Sequence, residues 1–302
     1  MPDPSTSSGA QPGGPVEGVI LDDIDARPGS TASLLRTFIG LYLRRLDDWI
    51  SAADLVRIAG FLGIPAATAR TGVTRLKQKG LLLAEREGGI GYRLNPAAIP
   101  MLERGDRRIF EVRQMALGDP WCLLSFSIPE TRRDLRHQLR RRLQWIGCGM
   151  VSPALWICPG YLQDEVEEIL TELHAREWAT LFRTQTPEVA GPLADAVSGW
   201  WDLTALRAEH ELFQESIAPL PDDAPGPFAA YVRLIDAWRV LPYRDPGLPA
   251  ALLPADWPGH RSFAAHARLS AQLAGPAWDF VRTAIADRAS ARPDHDAALS
   301  AD

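Results

Sequence analysis

The stretch TARTGVTRLKQKG, Thr68 to Gly80, decides how the first third of the chain is read. On a period of 3.6 residues, Ala69, Val73 and Leu76 share one face. The opposite arc carries Thr68, Arg70, Thr71, Thr74, Arg75, Lys77 and Gln78, with Lys79 just beyond. Gly80 supplies the stop, because glycine takes the left-handed conformation after a helix end without steric cost. The pattern predicts a short amphipathic helix with a cationic outer face. A basic face alone reads as solvated surface, so its neighbours must decide whether it is more than that.

Upstream, Ser51-Ala-Ala-Asp54 is a capping-box-like start, with Asp in place of the usual Glu or Gln. It opens a helix that turns Leu55, Ile58, Ala59 and Leu62 inward. The turn Gly63-Ile64-Pro65 separates that helix from the basic one. Before both, Leu34, Leu35, Phe38, Ile39, Leu41, Tyr42 and Leu46 recur at helical spacing, so a first helix begins near Thr31–Ser33. Downstream, LLLAEREGGIGYRLN reads as strand, glycine-rich turn and strand, a hairpin, and residues 96–115 read as helix again. Three helices, a hairpin and a helix are the order of a winged helix-turn-helix, in which the second helix of the pair enters the DNA major groove. The candidate DNA-binding residues are therefore Thr68, Arg70, Thr71, Thr74, Arg75, Lys77, Gln78 and Lys79. Arg86 and Arg93 flank the hairpin tip and join them as wing residues. Gly88, Gly89 and Gly91 do not form a phosphate loop, since no Gly-Lys-Ser/Thr follows.

Charge supports this placement. The chain of 302 residues has a formal net charge of −6, yet residues 30–118 hold fourteen Lys/Arg against eight Asp/Glu. Residues 1–29 hold one Arg against five acids, and residues 119–302 seventeen Arg against twenty-five acids. A basic block between acidic ones points to a polyanionic partner that the overall balance conceals.

A second unit begins at Asp119. WCLLSFSI (121–128) reads as a buried strand. Residues 131–146 form a helix with Leu135, Leu139, Leu143 and Ile146 on one face. Short strands follow near 148–151 and 154–158, then a helix over 163–176 and a strand over 178–184. The order β-α-β-β-α-β is the ferredoxin-like pattern. From Pro187 the chain reads as helical, with apolar patterns at 193–217, 228–241, 261–274 and 277–288. Five prolines between Leu241 and Gly259 interrupt them. The expected class is thus α+β and helix-rich. The winged helix-turn-helix spans 31–118, the ferredoxin-like unit 119–186 and an all-helical unit 187–289. Pro-, Gly- and Ser-rich residues 1–30 and polar residues 290–302 are expected to be disordered tails.

Other chemistry finds little support. The three cysteines are odd in number and form no C-x-x-C pair, so neither a disulfide framework nor a zinc site is expected. The six histidines make no H-E-x-x-H cluster, and no G-x-S-x-G elbow occurs. No cofactor, metal site or catalytic residue is assigned. The start lacks a basic and an apolar signal region, and no apolar run of about 18 residues exists, so a cytoplasmic protein without a membrane contact is expected. The 131–146 helix carries Arg132, Arg133, Arg136, Arg140, Arg141 and Arg142. These are either a second DNA contact or partners for the acidic helix expected beside it. Nine of the ten tryptophans lie after residue 118. Most belong in cores, and some could line a pocket for a flat apolar ligand.

The order of units resembles the PaaX family of transcriptional repressors of phenylacetate catabolism. Three stretches carry the resemblance: TARTGVTRLKQKGLL, WCLLSFSIPETRRDLRHQLRRRLQWIGCGMVSPALWICP and RDPGLPAALLPADWPGH, the last near the family's DP-LP-ELLP-W-G signature. The resemblance implies a homodimeric repressor on double-stranded operator DNA, released when an aryl-acyl-CoA such as phenylacetyl-CoA binds. The family's central domain looks in turn like the CRISPR adaptation nucleases, which carry a metal-binding Asp at the end of the first strand. Here LLSFSIPE offers Ser125 and Ser127 instead, which weighs against the alternative of an enzyme acting on nucleic acid or acyl-CoA. For an effector site, Arg239, Tyr243, Arg244, Trp257 and His260, with Asp245, gather around the signature loop. CoA phosphates call for Arg and an aryl ring for aromatics. A proline-stiffened loop packed on helices would account for the same residues.

Overall fold

A computed structural model describes residues 27–86, 89–218 and 226–290 of the chain. The two expected tails lie almost wholly outside those residues.

The N-terminal unit opens with α1 (Thr31–Tyr42), whose N-cap Ser30 accepts a hydrogen bond from the Ser33 amide. β1 (Trp49–Ser51), α2 (Ala52–Phe61) and α3 (Ala66–Gln78) follow. As the sequence suggested, the Ser51 hydroxyl caps α2, accepting from the Asp54 amide at 3.0 Å. α2 and α3 form a pair bent by 118°, within the range of a helix-turn-helix. α3 packs tightly on α1, and a Cβ added at Gly72 would stand 2.6 Å from the Leu35 side chain. Gly80, at φ +75°, ends the helix. β2 (Leu82–Glu85) and β3 (Gly91–Leu94) form the hairpin, and α4 (Ile99–Phe110) closes the unit.

Two details differ from the sequence reading. β1 pairs antiparallel with β3, making a three-stranded sheet of order β1-β3-β2. Gly91 permits this, since a Cβ there would meet the Ile50 carbonyl and the Trp49 ring at 2.7 Å. The helix expected over 96–115 stops at Phe110. Beyond it, the Met115 amide donates to the Gly247 carbonyl, a distant partner that takes the place of a helical one.

The central unit comprises β4 (Trp121–Phe126), α5 (Arg133–Trp145), β5 (Gly149–Ser152), β6 (Leu155–Pro159), α6 (Gln163–Glu172) and β7 (Ala179–Thr184). All neighbours in its sheet are antiparallel, in the order β5-β6-β4-β7. Leu124, Phe126 and Trp156 bury one sheet face beneath Leu139 and Leu143 of α5 and Val166 and Leu170 of α6. Trp121 and Ile157, on the other face, join the core that contains Val197 and Trp201. All three cysteines are buried thiols. α6 is shorter than expected, because His174 takes a left-handed φ of 50° where the pattern showed no glycine.

The C-terminal unit holds α7 (Leu193–Trp200), α8 (Leu203–Ile217), α9 (Gly226–Trp238), α10 (Leu241–Arg244) and α11 (Gly259–Ser290). The two helices expected at 261–274 and 277–288 are one, which runs through Pro276. Its aromatic face reaches the N-terminal unit: Trp278 stacks on Tyr42 at 6.2 Å, and Phe280 meets Phe61 edge-on at 4.9 Å. The first and last units therefore share one hydrophobic core. The whole is a helix-rich α+β protein with two small antiparallel sheets.

Candidate nucleic-acid interface

The buried residues of α3 are Ala69, Gly72, Val73 and Leu76. At 100° per residue, Thr71, Thr74 and Gln78 then point directly away from the protein, and all three are exposed. The threonine hydroxyls return to their own helix, Thr71 to the Ala67 carbonyl and Thr74 to that of Arg70. Their methyl groups and the Gln78 amide form a neutral central line. Arg70 and Lys77 lie on one flank, toward the hairpin, where the Lys77 ammonium sits 5.9 Å from the Tyr92 ring centre. Thr68, Arg75 and Lys79 lie on the other flank and line an open groove between α3 and the start of α1. Arg27 and Arg36 line the same groove. Sequence reasoning missed those two cations, because nothing local in the sequence places α1 beside that flank.

Among the described residues, neither Arg70 nor Arg75 has an ion-pair partner. Arg93 differs from them. It lies on β3 away from the hairpin tip, and it donates to the Glu85 carboxylate from Nε at 2.6 Å and from a terminal nitrogen at 3.1 Å. That bond holds the Glu85 carboxyl below its usual range, so Arg93 presents a neutralised pair at the surface. Arg86 is exposed at the end of β2, closer to the tip.

Two arginines of α4, Arg104 and Arg108, face the acidic α6. Arg108 donates to Glu165 of α6 at 2.8 Å and to the carbonyls of Pro242 and Ile146, while Arg104 lies 3.6 Å from Glu168. The acidic face of α6 thus pairs mainly with α4. From the Arg-rich α5, Arg142 reaches Glu172 at 2.8 Å, Arg136 pairs with Glu130 and Arg140 donates to the Pro153 carbonyl.

Three consecutive matches decide the family. Residues 30–98 match the profile "PaaX-like protein", residues 114–196 "PaaX protein central Cas2-like domain", and residues 201–283 "PaaX-like protein C-terminal domain". The chain belongs to the PaaX family. It is 27% identical over 249 residues to the transcriptional repressor PaaX of Escherichia coli K12, which covers 78% of each chain. Its fold is similar to that of the uncharacterized protein Rv0674 from Mycobacterium tuberculosis, with a TM-score of 0.57, 24% identity, and coverage of 84% of this chain and all of that one.

Within this PaaX-family chain the residues around the signature loop do not converge on one pocket. Arg239 is buried against α1, donating to Asp236 at 3.4 Å and to the Ser33 hydroxyl at 2.8 Å. Trp257 is a core residue edge-on to His210, and His260 is exposed at the start of α11. Asp245 accepts from the Gly247 amide and pairs with the buried His210 at 2.8 Å, which pins the loop. Tyr243 stacks on Trp145 at 5.3 Å. Arg244 pairs with Glu209 and lies over the same indole. Arg244 lines an open aromatic groove, while Arg239 and Tyr243 line a separate pocket beside α1 and α4. Among the described residues, no cluster of His, Cys, Asp or Glu could hold a metal ion, and no single helix is long and apolar enough to cross a membrane.

Proposed function

We propose that the chain is a ligand-responsive transcriptional repressor of an aromatic-compound, phenylacetate-type degradation pathway, a cytoplasmic homodimer that binds operator DNA. It is a regulator and not an enzyme, in keeping with the repressor it resembles. Its N-terminal unit acts as a winged helix-turn-helix, with the 82–94 hairpin as the wing and Arg86 near the phosphate backbone. An aryl-acyl-CoA such as phenylacetyl-CoA releases the operator.

The observation that carries this reading is the cross-section of α3. A neutral line of Thr71, Thr74 and Gln78 is flanked on one side by Arg70 and Lys77 and on the other by Arg75 and Lys79. A major groove about 12 Å wide presents the matching arrangement, base edges between two rows of phosphates. The central residues then read bases through an amide and methyl contacts, and the flanking cations hold the two backbones. Arg27 and Arg36 extend the second backbone contact along α1.

The test is a mobility-shift titration on the DNA upstream of the genes adjoining the coding region, at several salt concentrations. Arg70→Ala and Arg75→Ala should each weaken binding about tenfold and reduce the salt slope by about one. Wild-type binding by both variants would remove α3 from the interface.

A further inference from the structure

A second groove, with no residue of α3 in its lining, has the composition of a small-molecule site. It opens between the central and C-terminal units and is walled by Trp145, Trp156, Trp200 and Trp201, with Arg141 and Arg244 at its rim. Two walls are fixed before any ligand arrives. Trp201 donates its indole N–H to the Gly147 carbonyl at 2.8 Å and lies flat on Gly149, where an added Cβ would stand 2.7 Å from the ring. Trp145 stacks on the Tyr243 ring, and the Arg244 guanidinium lies 5.8 Å from its ring centre. Trp200, half-buried and 6.2 Å from Trp201, completes an aromatic corner at the edge of the core. Met150, on the edge strand β5, is 48% exposed into the same space.

Two features define what would fill it. The Trp156 side chain is 4% exposed, and its indole N–H has no acceptor. A buried donor left unpaired costs on the order of 1–3 kcal/mol, so a ligand acceptor gains from it once the indole turns its N–H, closed off in this structure, into the groove. The groove has a volume of about 880 Å³, toward the upper end of the roughly 300–1,000 Å³ of small-ligand pockets. It has room for an aromatic group and part of a headgroup; its rim carries Arg141 and the Arg244–Glu209 pair, so an anionic headgroup competes with Glu209 for Arg244.

We propose that this groove is the effector site. It takes a flat aromatic acyl group among the indoles, its carbonyl toward the Trp156 wall and its phosphorylated headgroup across Arg141 and Arg244. The assignment rests on the reading of the chain as an effector-controlled repressor. It moves the effector away from Arg239, Trp257 and His260 and keeps Tyr243 and Arg244, the first as support for Trp145 and the second at the rim.

The test is calorimetric titration of the full-length protein with phenylacetyl-CoA and, in parallel, acetyl-CoA. Wild type should bind the aryl thioester at least tenfold more tightly than acetyl-CoA. Trp200→Ala should close most of that gap, and Arg141→Ala should weaken both thioesters at least fivefold. Arg141 is exposed, so that variant should keep the wild-type thermal midpoint and still report if Trp200→Ala folds poorly. If wild type binds phenylacetyl-CoA and both variants bind it equally well, the groove is wrong and the effector reading survives. If wild type binds neither thioester, the effector reading fails and takes the groove with it.

Discussion

His266 shows how far burial can fix a single side chain. It sits on α11 with its ring stacked on Trp238 at 4.4 Å, and its Nε2 lies 3.2 Å from the Ser270 hydroxyl. No carboxylate is among these contacts, so burial alone decides its titration and lowers its pKa from 6.5 to about 4. The folded protein keeps the ring neutral where the unfolded chain would protonate it. The contribution to stability is therefore complete above about pH 6.5 and is lost as pH falls toward 4. A shift of that size corresponds to at most about 3 kcal/mol. His266→Gln should flatten this part of the acid response. Urea unfolding of both proteins at pH 7 and pH 4.5 measures it, and equal losses of stability in the two would refute the assignment. Trp238 is fully buried and contacts Phe213 and Phe263 as well, so the effect would register in the helical core and not at the DNA face.

At the scale of elements, the proposed function divides the tasks of α3 between a central line and two flanks, and the division can be tested. On the proposed docking, Thr74→Ala and Gln78→Ala remove groups aimed at base edges. Each should cost about 1–3 kcal/mol on the best operator and less on scrambled DNA, with little change in salt slope. Competition against a library of operator variants measures this, and uniform weakening across all sequences would move both residues to the backbone. The face of α3 was legible in the sequence because thirteen residues span several helical turns and the apolar ones recur on one side. β1 was not, since Trp49-Ile50-Ser51 is too short to show a period and exists only through its pairing with β3. The ends of α4 and α6 escaped for a different reason. α4 stops as the chain turns toward the signature loop, and α6 stops at a left-handed histidine where glycine would have been the visible signal. Pro276 had the opposite effect, suggesting a break in a helix that continues through it. The tryptophan groove could not be read at all, because its walls come from segments about fifty residues apart that only the packing of α7 on β5 brings together.

For the molecule as a whole, the question is how a ligand between the second and third units could alter a DNA face on the first. Among the polar contacts that cross those boundaries, two are centred on largely buried charges. Asp236 of α9 is 1% exposed and accepts from the Gly29 amide and from the hydroxyls of Ser33 and Thr37, tying α1 to the C-terminal unit. Arg108 of α4 reaches Glu165, Ile146 and Pro242 at once, and its guanidinium lies 5.4 Å from the Tyr243 ring that backs Trp145. A ligand that shifts Trp145 therefore presses on the residue that anchors α4. Effector control is a coupling free energy, so whatever loosens DNA binding must itself bind the DNA-free form more tightly. Arg108→Met removes the anchor while filling most of its volume. It should weaken the protein by about 3–5 kcal/mol, as expected when a largely buried ion pair loses one member. It should also bring the operator affinities measured with and without phenylacetyl-CoA closer together. A variant that lost stability but kept the full wild-type ratio would show that the signal bypasses Arg108, leaving the Asp236 contact between α9 and α1 as the next place to look.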